Sequence, residues 1–485
     1  MEEWHLSRSD LKKYPHFDPL ISAEEGEAYA TDKQRVARHA FFPFIQYSQR
    51  WTRFPKQGEK RPPKKRPIRY AARQDAYIFS YYRHLLSQKY EAELVRLGLD
   101  ASILAYRHIP ISNGLGGKCN VHFAHDAFSK IRQLGDCCTI ALDISAYFES
   151  LDHGRLKDLW SRMLGVERLP ADHFQVFKAI TGYAWTEKVE VYERLGHFGE
   201  KKTTGGKLIK GYLTPYKKMP KCLCTGSVFR EKIAGSSGQK TIIKKNSKPY
   251  GIPQGAPVSD LLANLYLIDF DSTVAHWVRD VGGAYFRYSD DILILVPGDE
   301  KEGLSLMERT RALIGNFGAE LKIKKEKSSL FVFQRDGIYQ KFQLFQGTQG
   351  RNGLEYLGFR YDGKHVYLRD ATLSNLLRKI ARAAYGDAEA CAKRYPDKEA
   401  AELRKLFNYE RLIKRFGRAE DFGEMQREYR KWTFWTYAKR ASTVFGTLGK
   451  PILRQLRRHR DFIHRRADKA LEGAVIRRER RKTSR

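Results

Sequence analysis

An α+β fold is predicted by three features of the 485-residue sequence. Short β-prone runs, CCTIAL (137–142) and the two halves of FRYSDDILILV (286–296), lie far apart in the chain. Between them stand stretches whose apolar residues recur at helical spacing. From about residue 371 onward the pattern is helical and basic. Hydrophobic residues make up 42% and aromatics 13%, enough to build a core and to exclude global disorder. The length exceeds one compact core, so roughly two or three subdomains are expected.

Taken in order, residues 56–69 (KQGEKRPPKKRPIR) hold seven basic residues, one acidic residue and three prolines. Such a stretch reads as an exposed basic arm or loop. Tyr77, Ile78, Tyr81, Leu85, Tyr90 and Leu94 then recur at helical spacing, which predicts a long helix over 74–97. The run at 137–142 predicts a strand that ends at Asp143. Residues 201–250 carry 13 basic side chains and one acidic one, the composition of a basic insertion or hairpin. Ser259 is the expected N-cap of a helix through Val278, with Leu261, Leu262, Leu265, Ile268 and Val274 on its apolar face. Phe286–Val296 reads as two strands around a tight polar turn. In 451–485, 13 basic residues face four acidic ones. There Ile452, Leu453, Leu456 and Ile463 fit one helix face, which leaves Arg457, Arg458, Arg465 and Arg466 free to meet phosphates.

Lys+Arg 89 against Asp+Glu 56 gives a net charge of +33, which points to nucleic acid as partner. The central aliphatic run, Ile292–Val296, is far shorter than the ~20 residues of a membrane-spanning helix, so no membrane span is expected. The amino terminus, Met1-Glu2-Glu3-Trp4, lacks the basic-then-apolar order of a secretory signal, and a cytoplasmic location is expected. The six cysteines form no paired CxxC motifs, and Cys222 and Cys224 lack partners for a zinc site. Reduced thiols are expected. No internal repeat is visible.

Asp143 closes a strand, and Asp290 and Asp291 occupy a strand–turn–strand. Brought together without a counter-ion, three carboxylates would repel by several kcal/mol and their pKa values would rise. A divalent metal removes that conflict. Mg²⁺ takes oxygen ligands and is commonly shared between carboxylates and substrate phosphates. Two such ions about 4 Å apart activate an attacking 3′ hydroxyl and stabilise leaving pyrophosphate, which is nucleotidyl transfer. An isolated Asp-Asp turn would be no more than a solvated hairpin tip.

Six blocks in one order decide otherwise. LDISAYFESLDH (142–153), GIPQGAPVSDLLANLYL (251–267), YSDD (288–291), LKIKKEKS (321–328) and EYLGF (355–359) resemble successive palm blocks of reverse transcriptases. KKRPIRYAARQDAYIFSYY (64–82) resembles the fingers block of the bacterial enzymes. The resemblance runs from about residue 60 to 370. It implies a right-hand polymerase fold, with fingers, a palm whose antiparallel sheet carries the catalytic Asp residues, and an α-helical thumb-like end. The implied division is 1–130 for an N-terminal extension and fingers, 131–370 for the palm with the basic insertion at about 201–250, and 371–485 for the basic helical end.

The resemblance makes Asp143, Asp290 and Asp291 the metal ligands, with the Ile144 carbonyl assisting, for two Mg²⁺ ions that Mn²⁺ could replace. Phe148 would lie beneath the incoming sugar, where a ring collides with a 2′ hydroxyl and favours DNA synthesis. Gln254 and Gly255 would let backbone approach nucleotide and template. Arg66 and Arg69 would reach the triphosphate as guanidinium forks, or one would serve the template backbone. Lys327 would protonate pyrophosphate, although Lys322, Lys324 and Lys325 beside it also fit a solvated face. Tyr288 would pack beside the primer end.

KYPHFDP (13–19) and YRHIPISNGLGGKCNVHFAHDAF (106–128) are most similar to the bacterial unknown-group reverse transcriptases associated with antiphage defence, relatives of retron and group II intron enzymes. That similarity implies dNTP substrates, an RNA template supplied by a dedicated noncoding RNA, and a DNA product. A homo-oligomer is left open. Other readings stay open too: a template-independent or protein-primed DNA polymerase of the same fold, a retron- or intron-type enzyme, and a non-catalytic RNA-binding protein.

Overall fold

The computed structural model describes residues 4–7, 10–51, 64–111, 116–203, 206, 208–236, 238–348, 350–416 and 433–483. The expected arm at 56–63, the Met1–Glu3 start and residues 112–115 of the 106–128 stretch therefore lie outside the described residues.

An antiparallel sheet of five strands organises the centre of the chain. Its strands are β3 (Cys137–Asp143), β8 (Ala284–Tyr288), β9 (Asp291–Pro297), β10 (Ser329–Asp336) and β11 (Tyr339–Gln346), in the order β11-β10-β3-β9-β8. Successive side chains of β9 enter different cores. Ile292, Ile294 and Val296 join one apolar cluster, and Leu293 and Leu295 join the other. Burial on both faces is why β9 reads as an unbroken apolar run rather than an alternating one. Helices Arg73–Arg96, His153–Leu164, Ser259–Tyr266 and Ile268–Asp280 cover one face. Helix Asn120–Leu134 and the carboxy-terminal helices cover the other.

A second sheet has the order β2-β1-β4-β7, from β1 (Phe44–Trp51), β2 (Lys64–Tyr70), β4 (Ala184–Glu187) and β7 (Lys244–Lys245). Residues 64–69 were expected in an arm or loop but form β2. Proline is tolerated there because β2 is an edge strand, so the missing N–H of Pro67 leaves no interior ladder position empty. The basic stretch 201–250 contains the expected hairpin, β5 (Phe198–Lys202) with β6 (Leu208–Tyr212), and it also supplies β7 to the second sheet. Arg73, fully buried, ties these parts together. Its guanidinium donates to the carbonyls of Tyr14 and Lys221, at 2.6 and 3.1 Å, and to that of Asp18.

Two helix expectations need correction. The helix foreseen from Ser259 to Val278 starts at Ser259 itself, with Val258 as N-cap, and breaks at Leu267 into two. Its apolar periodicity continues across a break that only φ and ψ reveal. Likewise 452–466 is not one helix. Helices Lys450–Arg454 and His459–Thr483 are separated by a turn that carries Arg457 and Arg458. The long helices Asp370–Arg394 and His459–Thr483 pack through buried Ala384, Ala388, Ala467 and Ala474, small residues that permit close approach. A small sheet, Leu354–Tyr356, Phe359–Tyr361 and Val366–Leu368, links them to the centre. All six cysteines are free thiols. No helix among the described residues is long and apolar enough to cross a membrane.

Candidate active site

The β3–β9 register sets Asp143 opposite Asp291. Strands β8 and β9 are joined by the two-residue turn Ser289–Asp290, in which Ser289 takes the left-handed φ of +61°. The Asp290 carbonyl accepts the N–H of Ile144 at 2.9 Å, locking the turn to the end of β3. The three carboxylates thus open on one cavity of about 510 Å³, whose walls include Arg66, Lys327 and Arg369.

Repulsion is legible in the acidities. Asp291 opens on the cavity but is crowded by protein on its other sides. That crowding, then the charges of Asp290 and Asp143, push its carboxyl up to about 7, against the pull of Arg369 and Lys327. Asp290 is also raised, chiefly by burial and further by Asp143, with Arg66 opposing. The Lys327 ammonium pairs with the Asp143 carboxylate. Arg369 pairs with Glu355 at 2.5 Å.

The hairpin is held from behind by a network that sequence reasoning missed. Arg287 on β8 and Asp271 on the Ile268–Asp280 helix form a fully buried ion pair at 2.6 Å. Arg287 also donates to the Asn264 side-chain oxygen and to the Ser289 carbonyl, both at 3.2 Å. Tyr285 donates to Asp271 at 2.6 Å. The Tyr106 hydroxyl, on a residue with φ +62°, reaches the Ser289 Oγ at 3.3 Å. The available signal was a charge where the pattern demands an apolar residue: Asp271 lies three residues from Ile268 and from Val274 on the buried helix face.

The other residues named from the sequence are not all gathered at the cavity. Arg66 is exposed at its wall. Arg69 is buried, its guanidinium 4.9 Å from the Tyr183 ring and 5.1 Å from that of Trp185. Phe148 sits half-buried in a single 3₁₀ turn, its carbonyl accepting the Ile252 N–H at 2.8 Å. Gly255 has φ +121°, and a Cβ there would lie 2.4 Å from the Arg69 carbonyl. Beside it, the Gln254 carbonyl accepts the Arg69 N–H at 2.9 Å. The close approach that requires glycine is therefore to β2. Tyr288 is half-buried, with its ring 6.2 Å from Phe123. Arg457, Arg458, Arg465 and Arg466 are all exposed.

The donor set suits a hard divalent cation. Carboxylates that crowd one another gain from a shared positive charge, and Lys327 already supplies one to Asp143. Among the described residues, no three His, Cys, Asp or Glu side chains form a closed ligand cluster.

Comparison with known proteins bears on this geometry. Residues 210–361 match the family of reverse transcriptases (RNA-dependent DNA polymerases), a span that takes in the 251–267 block and the hairpin while Asp143 lies ahead of it. Domains of this family generally use divalent metal ions. No curated protein matches the chain. Among solved structures, the chain is similar to apo telomerase of Candida tropicalis truncated from its C-terminal domain. The identity is 13% and the TM-score 0.35, covering 63% of this chain and 53% of that one. Apo telomerase of the same organism gives 12% and 0.36, covering 88% and 65%. Telomerase of Candida albicans, in complex with a fragment of telomeric RNA, gives 8% and 0.38, covering 95% and 68%. The chain thus spans about half of the first of these. Residues 210–361 thus match a reverse transcriptase domain, the domain of RNA-directed DNA polymerases, within a mixed helix-and-sheet fold that ends in a helical carboxy-terminal region.

Proposed function

We propose that this chain extends a 3′ hydroxyl with dNTPs on an RNA template, using Asp143, Asp290 and Asp291, with the Ile144 carbonyl, to hold two Mg²⁺ ions. The observation that carries this reading is the pairing of Asp143 with Asp291 beside Asp290 in a cavity walled by Arg66 and Lys327. When bound, the metal lowers the acidity barrier of the attacking hydroxyl and offsets charge on the phosphate. Arg66 orients the triphosphate by its guanidinium fork, and the Lys327 ammonium stands ready to give its proton to pyrophosphate. Residues 1–130 serve as N-terminal extension and fingers, 131–370 as palm and 371–485 as thumb, with β4 and β7 lent to the fingers sheet. A dedicated noncoding template and a role in antiphage defence are supported by the resemblance of 13–19 and 106–128 to the unknown-group enzymes. Sequencing the RNA and the DNA that copurify with the chain, each separately, tests the template. A single recurrent RNA with complementary DNA is expected, and DNA complementary to no bound RNA would sink the RNA-directed reading.

Phe148→Ala should admit ribonucleotides, because the expected selection against a 2′ hydroxyl is steric. ATP incorporation relative to dATP on one template should rise at least about tenfold, a barrier change near 1.4 kcal/mol. An unchanged ratio removes Phe148 from the sugar gate.

Changing Arg457, Arg458, Arg465 and Arg466 to Gln should weaken binding to unrelated RNAs alike. Each arginine–phosphate pairing abolished should flatten the slope of log affinity against log salt by about 0.7–0.9. Titrations of labelled RNA at several KCl concentrations read this directly. An unchanged slope would mean that these exposed arginines meet no phosphate.

A further inference from the structure

The β5–β6 hairpin has no place in the polymerase reading above. It forms a two-stranded sheet by itself, and its outer surface is unusual for one so basic. Tyr212 is 46% exposed and Tyr216 58% exposed. Both surround buried Tyr192: the Tyr212 ring lies 6.1 Å from it, nearly perpendicular. The Lys188 ammonium stands 5.4 Å from the Tyr192 ring and 5.7 Å from that of Tyr216, bracing the group from beneath. Lys217 and Lys218, next to Tyr216 in the chain, are exposed and have no carboxylate partner among the described residues, whereas Lys202 stands opposite Leu208 at the far end of the hairpin. Nearby acids are largely spent, since Glu193 pairs with Lys210 at 3.5 Å and Glu190 with Lys244 at 3.8 Å, leaving Glu200.

Exposed aromatic faces ringed by unpaired lysines suit one class of ligand. Phosphates answer the charge of a stretch with 13 basic residues and one acidic one, and unstacked bases answer the tyrosines. A duplex keeps its bases stacked inside and offers only the first of these. An apolar protein partner would satisfy the rings but would bury the lysines unpaired.

We propose that Tyr212 and Tyr216, with Lys217 and Lys218, form a second nucleic-acid site that holds single-stranded RNA outside the catalytic cavity. The choice of RNA rests on the RNA-directed reading above; the stacking chemistry does not. Tyr192 adjoins Tyr70 at the end of β2, the strand that carries Arg66 to the cavity wall, so RNA held here lies on the fingers side of the site.

The full chain is titrated with short labelled oligo(U) and with a duplex RNA of equal length, at several KCl concentrations. The variants are Tyr212→Ala with Tyr216→Ala, Tyr212→Phe with Tyr216→Phe, and Lys217→Gln with Lys218→Gln. The alanine pair should lose at least about tenfold in oligo(U) affinity, since each stacked base is worth about 1–3 kcal/mol. The phenylalanine pair should bind within about twofold of the parent. The lysine variant should show a salt slope reduced by about 0.7 for each phosphate no longer neutralised. A photocrosslink from 4-thiouridine-substituted oligo(U) should fall within residues 208–218. All three variants should extend a preformed primer on a short RNA template as the parent does. Unchanged oligo(U) affinity in the alanine pair, an equal loss in the phenylalanine pair, or an equal loss for duplex overturns the proposal. So does altered self-association with intact RNA affinity, which would make this face a protein interface. Failure of the parent to extend any primer would sink the polymerase reading, while the binding and crosslinking results would still judge this site.

Discussion

Asp290→Asn combined with Asp291→Asn will abolish metal-dependent dNTP incorporation, by about a thousandfold or more, while the chain stays folded. The loss corresponds to about 4 kcal/mol or more of barrier, which is reasonable when the groups removed are those that hold the activating ions. Stability should behave oppositely. Asp290 and Asp291 are both raised by crowding and by neighbouring carboxylates, so the folded chain holds these charges less willingly than the unfolded one does. With a folded value near 7 for Asp291 against an ordinary 3.8, the metal-free parent binds more protons folded than unfolded within that window. Its stability is therefore fullest below the ordinary value and declines as pH rises toward 7. The asparagine pair, which cannot ionise, should lose that decline and melt at or above the parent temperature near neutrality. Primer extension and a thermal melt across pH, both without and with Mg²⁺, check the two halves. Normal extension by the folded double variant would remove these acids from the metal site.

Replacing Arg287 with Met should be the most damaging single change away from the cavity. It leaves Asp271 buried without its partner, a loss of about 3–5 kcal/mol in chemical denaturation. It also strips the Ser289 carbonyl of its donor, and Ser289 holds the left-handed turn that aims Asp290. The two effects separate in a second variant, Arg287→Met with Asp271→Leu, in which no unpaired charge remains. Most of the stability should return, because apolar replacement of a buried pair is often neutral. Incorporation should stay depressed, mainly in kcat rather than in KM for dNTP, because the turn still lacks its brace. Full recovery of kcat in the double variant would show that Arg287 acts through stability alone.

Much of this arrangement is written locally in the chain. The strand ending at Asp143, the hairpin bearing Asp290 and Asp291 and the long helix after residue 72 all follow from periodicity and turn chemistry. These signals belong to neighbours in sequence, and a window of ten or fifteen residues contains them. Other features depended on which distant segments meet. Whether Pro67 lies in a loop or a strand turned on β2 being an edge, which no local pattern states. The need for glycine at 255 comes from the Arg69 carbonyl, 186 positions away in the chain. Arg69 itself is bracketed by Tyr183 and Trp185, although as a sequence position it looks interchangeable with Arg66. The pairing of Lys327 with Asp143, and of Arg287 with Asp271, could not be chosen among so many lysines, arginines and aspartates. Periodicity tells a residue which face it occupies, whereas register and the packing of remote elements choose the partner that waits there.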